Sequence, residues 1–440
     1  MNTQNRRNFI KRSAGIGLSL PFLTSFTGTL QDKQYPRILF RLGWDFKDNN
    51  DIAYIPSLYR LAQKNIMNTE FYLWLKDSDN GVLEMLNTNF VNVKIVKGEI
   101  DASGQPTTDE LRTILSESDL LIYSPGAVTM VDWANNGEDG IETRSLQYCF
   151  ENQIPYAIMG IGEIPEDGPA QERFLKLANG ANYIYSTSSL IDKKLKEGNI
   201  KISKLQTSPN PLFAFDLRSD FPSRKILETY NLLDKDFLCI EFRAFGFAEE
   251  EVKNYSQKIV SLISAWVKST DKHVLILPIH PEDIDPTIKY IYKPLPADII
   301  TKVVFLQEKV MPDLAASIYE KSRIVSSMSL FPACSAIQAG IPVFFLSTLD
   351  ISTRSKTIED MGLKNSIQEL DSKTDEELVE ILLEIDKKYV AGMIESGKAR
   401  EFAIKKLSAQ FDDINRYINK LAEKMDSSEK KEKKKKKKGE

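Results

Sequence analysis

Asp119-Leu120-Leu121-Ile122-Tyr123 is a short run, apolar after its first residue, that leaves through Ser124-Pro125-Gly126. A run this short, bounded by turn residues, reads as a strand buried on both faces rather than as a helix. Tyr156–Met159 repeats the arrangement and runs out into Gly160-Ile161-Gly162. Upstream, Arg37–Leu42, Glu70–Leu75 and Val91–Val96 read as strands, and Tyr183–Tyr185 closes the set. Between them, Ala53–Lys64 reads as a helix, with Ile55, Leu58, Tyr59, Leu61 and Ala62 on or near one face. Thr107–Ser116 reads as another, capped by Thr108.

A second alternating set follows. Phe237–Phe242, His273–Ile279, Val303–Leu306, Ile324–Ser326 and Val343–Leu346 are the strand-like runs. Val252–Lys268, Pro312–Glu320, Pro332–Ala339 and Thr353–Met361 are the helices between them. Strand–helix alternation with near-continuous apolar strands indicates parallel sheets covered on both faces. The fold class is therefore α/β, with two Rossmann-like domains, residues 36–208 and 223–365, facing across a cleft. Pro209, Pro211 and Pro222 mark the boundary. Residues 373–425 carry Leu378, Ile381, Leu382 and Ile385 at helical spacing and are expected as C-terminal helices. In open parallel sheets, ligands bind beyond the carboxyl ends of the strands, so the cleft is the expected site.

Charge divides the chain into unlike parts. The 440 residues carry −4 overall, with +4 in residues 1–30 and +4 in residues 426–440, which leaves −12 between them. An acidic body of that size is a poor electrostatic partner for nucleic acid. Arg6-Arg7-Asn8-Phe9-Ile10-Lys11, followed by a modest apolar stretch, matches a twin-arginine signal peptide over residues 1–30. The expected location is periplasmic or secreted, with no stable membrane span. Lys433 to Lys438 repel one another, so residues 426–440 are expected to be a disordered, Lys-rich tail. Two His and three Cys without CxxC spacing leave no zinc cluster or disulfide framework to build. Gly160-x-Gly162 lacks the third glycine and the ribose-binding acid of a dinucleotide fingerprint, so no cofactor is expected.

Several strand ends carry polar residues. Arg243 leaves an apolar strand and can clamp a phosphate or carboxylate, or pair with Glu241 or Glu249. His280 sits past a strand end in Pro278-Ile279-His280-Pro281-Glu282-Asp283, where His280 or Asp283 can move protons near neutral pH. Ser327 and Ser329, with Ser326, precede a helix and can offer hydroxyls and free N–H groups to an anion, or simply cap it. Arg354 and Lys356 follow the last strand. Asn49 and Asp51 in the first loop can bind a sugar or hold the turn.

These segments, in this order, resemble the polysaccharide pyruvyl transferase family over roughly residues 36–365. Gly43 with Asn49-Asn50-Asp51-Ile52 is similar to its Asn-x-Gly-Asp turn, and residues 119–126, including Gly126, to its Asp-strand-Gly-Gly segment. Pro155 to Gly162, Pro209-Asn210-Pro211-Leu212-Phe213 and Ile324 to Pro342, with Lys356 and Gly362, are similar to its later segments. The resemblance implies a fold like the two-domain glycosyltransferases. It implies transfer of a pyruvyl ketal from phosphoenolpyruvate, or binding of another anionic donor, to a cell-surface glycan acceptor. It makes Lys356 the preferred second cation. The family's Arg-Leu-His stretch is replaced by Ser329-Leu330-Phe331. That loss motivates one alternative, a non-catalytic periplasmic glycan-binding protein on the same fold; the two-domain architecture leaves another, a glycosyltransferase using a nucleotide sugar.

Overall fold

The computed structural model describes residues 35–42, 49–75, 80–90, 93–124, 141–165, 168–201, 203, 205–349 and 352–436. The first sheet contains β1 (Arg37–Leu42), β2 (Glu70–Leu75), β3 (Lys94–Lys97), β4 (Leu120–Ser124), β5 (Tyr156–Ile161), β6 (Tyr183–Ser186) and β7 (Leu205–Thr207). Its order is β3-β2-β1-β4-β5-β6-β7, every pair parallel. The second sheet contains β8 (Phe237–Glu241), β9 (His273–Ile276), β10 (Val303–Phe305), β11 (Ile324–Ser327), β12 (Val343–Ser347) and β13 (Ile367–Glu369). Its order is β10-β9-β8-β11-β12-β13, again all parallel. The two-domain α/β architecture expected from the strand runs is the observed one. Each sheet has one crossover point, at β1/β4 and at β8/β11, where the connections leave in opposite directions.

The strands form where the apolar runs are because both faces are covered. β4, β5, β8 and β12 are buried at every residue. The outer face of the first sheet packs its own apolar cluster, around Trp74, Leu121, Ile158 and Phe174, and the second sheet does the same around Leu238, Ile263 and Trp266. The inner faces share one continuous cluster, which runs from Phe40 and Ile122 through Leu212–Phe215 to Cys239, Val325 and Phe345. At roughly 1.5–3 kcal/mol per fully buried large apolar side chain, that shared layer is what unites the two sheets.

Five helices position the site. α1 (Asn49–Asn65) enters just beyond β1 and is buried along its first eleven residues. α2 (Ser189–Glu197) follows β6, with Ser188 Oγ capping the Ile191 amide. α3 (Leu330–Ala339) follows β11 and ends at Gly340, whose positive φ suits a helix terminus. α4 (Ser352–Glu359) follows β12, and α5 (Tyr389–Lys436) ends the chain. α5 straps both domains. Ser396 Oγ donates to Ile341 O at 3.0 Å, while Tyr185 Oη donates to Gln410 O at 3.1 Å. Its Ala399, Ala403, Leu407, Phe411, Ile414 and Ile418 lie in the shared core.

At the C-terminus the described chain is helical. The helical periodicity of 373–425 resolves into a helix over Asp375–Lys387 followed by α5. α5 continues into the Lys-rich segment as far as Lys436. Lys is a good helix former, and nucleation is already supplied by the docked part of α5, so extension costs little despite like-charge repulsion. The export pattern of residues 1–30 and Gly126 lie outside the described residues. Among the described residues no helix is long and apolar enough to cross a membrane, and no group of His, Cys, Asp or Glu is arranged to hold a metal ion. Cys149, Cys239 and Cys334 are free and buried.

Candidate functional site

A cleft opens where the carboxyl ends of the two sheets face each other. The space between its walls, open solvent at the mouth included, is about 480 Å3, of which about 40 Å3 can take the centre of a water-sized sphere, so the cleft is narrow in this structure. The first domain contributes Asn50 and Tyr54 from α1, Gly162 and Glu163 after β5, and Thr187 after β6. The crossing segment contributes Asn210 and Leu212, and the second domain Arg243, Leu330, Thr353, Arg354 and Thr357. Two guanidiniums therefore stand on one wall, and a carboxylate, a threonine and a phenol on the other. That division suits a ligand with an anionic part and a hydroxyl-rich part.

The first-domain wall is held by close backbone approach. Gly160, in β5, has φ +77°, and a Cβ there would lie 3.1 Å from Ser124 Oγ and from the Tyr54 ring, and 3.3 Å from Pro211. The Tyr54 hydroxyl accepts from Asn210 Nδ2 at 2.6 Å, and Asn210 Oδ1 accepts from the Leu212 amide at 3.0 Å. Burial pushes the Tyr54 phenol far above its ordinary range, so it stays neutral. Gly160→Ala should cost about 2 kcal/mol, combining a left-handed backbone penalty with crowding of Tyr54. Urea unfolding would measure it, and an unchanged midpoint would refute the close-approach argument.

On the opposite wall, Arg243 leaves β8 and donates through Nε to Phe245 O at 3.1 Å. The loop that carries it is pinned from below. Asp283 Oδ1 accepts from the Ala244 and Phe245 amides, both at 2.8 Å. Asp283 is buried, and burial, with the Glu241 charge added, pushes its carboxyl up to about 7 against the pull of those amides and of Arg243. His280 stacks on the Phe245 ring at 4.6 Å between centroids, and its Nδ1 lies 2.6 Å from the Glu282 carboxylate. His280 and Asp283, the residues assigned to proton movement from the sequence, thus lie behind Arg243 and support its loop rather than line the cleft.

Of the other expected site residues, the structure brings together only some. Asn49 and Asp51 are buried in the first turn of α1, while Asn50 between them faces the cleft. Asn49 Nδ2 donates to Val310 O at 2.8 Å and Asn50 Oδ1 accepts from the Phe331 amide at 2.9 Å, so both fasten the domains together. Lys356 does not line the cleft. It pairs with Glu359 at 3.1 Å and Asp360 at 3.2 Å, in a separate groove between α2 and α4. Asp360 in turn accepts from the Ser189 amide at 2.7 Å, at the start of α2 in the other domain. Arg354 is the α4 cation that reaches the cleft. Ser327 and Ser329 are buried and both bond the Glu241 carboxylate.

Sequence reasoning did not single out Glu163, Tyr54 or Thr187, and it ranked Lys356 above Arg354. The helical spacing carried a usable signal. Thr353, Arg354 and Thr357 share one face at i, i+1 and i+4, while Lys356 shares the other with Glu359 and Asp360, carboxylates that claim its charge. Glu163 follows the strand-end Gly162 directly, which is where a cleft residue is expected.

No protein-family model matches the sequence, and no curated protein matches it. Solved structures are similar in fold. The UDP-GlcNAc 2-epimerase of Methanocaldococcus jannaschii superposes with a TM-score of 0.55 at 16% identity, over 79% of this chain and 92% of that one. The Neisseria meningitidis UDP-GlcNAc 2-epimerase bound to UDP-GlcNAc gives 0.55 at 14% identity, over 86% and 98%. The Anabaena protein HepE in complex with UDP and glucose gives 0.55 at 12% identity, over 89% and 100%. These likenesses overturn the resemblance to pyruvyl transferases, and with it the phosphoenolpyruvate donor. The misleading segments are strand-to-helix turns, and any fold built of two parallel sheets places glycine, proline and short polar residues there. What the comparisons establish is the fold: two facing Rossmann-like domains of the kind found in nucleotide-sugar epimerases.

Proposed function

We propose that the chain is a nucleotide-sugar-using enzyme of glycan metabolism, with its ligand in the interdomain cleft. The observation that carries this reading is the pairing of Arg243 and Arg354 on one wall. Two guanidiniums at the carboxyl ends of a parallel sheet suit the phosphates of an activated sugar, which they can grip bidentately. The opposing wall supports the sugar half. Thr187 and the Tyr54 hydroxyl provide neutral polar contacts, and Glu163 is the carboxylate available to exchange a proton with a sugar hydroxyl or ring carbon. The fold likeness to proteins solved with UDP, UDP-GlcNAc, or UDP and glucose adds weight to the nucleotide.

Thermal shift with a panel of nucleoside diphosphates and their sugars tests the reading. A ligand at 100 times its Kd stabilises the folded state by about 2.7 kcal/mol, which a melting curve resolves easily. At least one diphosphate or nucleotide sugar should raise the melting temperature, and incubation with the sugar should then yield an epimer or a transfer product. Failure of every panel member to shift the transition at millimolar concentration would sink the proposal.

A further inference from the structure

At the crossover point of the second sheet a buried carboxylate stands where a ligand anion would be expected. Glu241 ends β8 and lies in register with Ser327 at the end of β11, and its side chain is fully buried. Oε2 accepts from Ser327 Oγ at 2.7 Å, from the Met328 amide at 3.0 Å and from the Ser329 amide at 3.1 Å. Oε1 accepts from Ser329 Oγ at 2.8 Å. Two hydroxyls and two amides at the entry to a helix make an anion hole, and here the chain's own carboxylate fills it. The Phe331 amide, two residues further on, is taken by Asn50 Oδ1 from the other domain.

We infer that Glu241 is a resident anion: it occupies the cluster of donors at the start of α3 and so acts as a specificity-determining residue that confines a ligand's charge to Arg243 and Arg354. A tethered carboxylate with four donors out-competes a free anion for the same hole, because its translational freedom is already spent in folding. Burial pushes the Glu241 carboxyl above its ordinary range, against the pull of the Ser327 and Ser329 hydroxyls, Arg243 and the Met328 amide, and in its ionised form it also repels a second anion placed beside it. Diphosphates that need the helix start are thereby refused, while those that reach the two guanidiniums are accepted. The occupancy of the hole stands on the contacts alone; the consequence for ligand choice rests on the function proposed above.

The test separates the two. Glu241→Ala empties the hole and should lower the melting temperature. Acetate at millimolar concentration should then restore much of the loss, while the same salt leaves the wild type unmoved against chloride of equal ionic strength. Glu241→Gln keeps the shape and removes the charge, and should bind pyrophosphate about tenfold more tightly than the wild type, about 1.4 kcal/mol. If Glu241→Ala does not fold, Glu241→Gln decides. A folded Glu241→Ala that no anion restores, or a Glu241→Gln that binds pyrophosphate no better, overturns the inference. Neither readout needs a nucleotide sugar, so a failed ligand panel with successful rescue would remove the proposed function and leave the resident anion standing.

Discussion

Replacing Arg243 and Arg354 together by Ala should weaken binding of the activated-sugar ligand by at least about 100-fold while leaving the fold intact. Each guanidinium faces the same cleft, from the loop after β8 and from α4. A hydrogen bond to a charged group contributes about 1.5–3 kcal/mol, so either single variant should cost roughly 10- to 100-fold in Kd. Lys at either position should recover only part of the loss, because an ammonium keeps the charge but not the planar fork. Neither change should unfold the protein, since the shared apolar core and the α5 strap do not involve these side chains. Lys356→Ala is the informative control. Its charge is held by Glu359 and Asp360 at a half-exposed site, so ligand affinity should stay put and stability should fall by no more than about 1 kcal/mol. Calorimetric titration of the variants reads both effects. An unchanged Kd in the double variant, or a loss in Lys356→Ala equal to that of the arginines, would show that the charge of the cleft has been assigned to the wrong side chains.

The reasons that Arg243 stood out in the sequence while Arg354 was ranked below Lys356 are physical. A parallel sheet buried on both faces announces itself as apolar runs, so Phe237-Leu238-Cys239-Ile240 marks a strand and Arg243 marks its end. β7 and β13, three residues each, are too short to carry a pattern. The helices Pro169–Gly180 and Ser189–Glu197 bury only three and two residues, which blurs their periodicity. The cleft is harder to read than the sheets because it is made of pairings distant in sequence. Ser327 and Ser329 look like ligand groups until β8 and β11 are known to be neighbours, which brings Glu241 to them from 86 residues upstream. Arg354 and Lys356 differ in which face of α4 they occupy, and the spacing separates them only when Glu359 and Asp360 are read as the partners of Lys356. The pyruvyl transferase resemblance failed for a related reason. Its motifs report the turns of the fold, and the turns are common to folds whose clefts carry different chemistry.

Asp283 should make the wild type lose stability between pH 5 and pH 8 relative to Asp283→Asn. The carboxyl titrates near 7 in the folded chain against about 3.9 unfolded. Between those values the folded state holds the proton more tightly than the unfolded state, so unfolding releases it and stability falls as pH rises. The contribution is complete below about pH 4 and gone above about pH 7. Its size is bounded by about 1.4 kcal/mol per pKa unit, so the upper limit is about 4 kcal/mol. The cause is burial first and the adjacent Glu241 second, opposed by the amides of Phe245 and Ala244 and by Arg243. Asn keeps an oxygen for the Ala244 and Phe245 amides but has no charge to bury, so its stability should lack this component. Urea unfolding at pH 5 and pH 8 then gives a difference between the two proteins that grows by about 3 kcal/mol across the range. Groups that do not act on Asp283 are common to both proteins and cancel to first order in the comparison, whereas Glu241 is coupled to Asp283 and is part of the difference. Parallel pH profiles would mean that the carboxyl ionises normally, as it would if water reached it beneath the 244–245 loop. Because that loop carries Arg243, the same substitution at pH 8 should leave the cleft's cation in place, and ligand affinity should change far less than stability does.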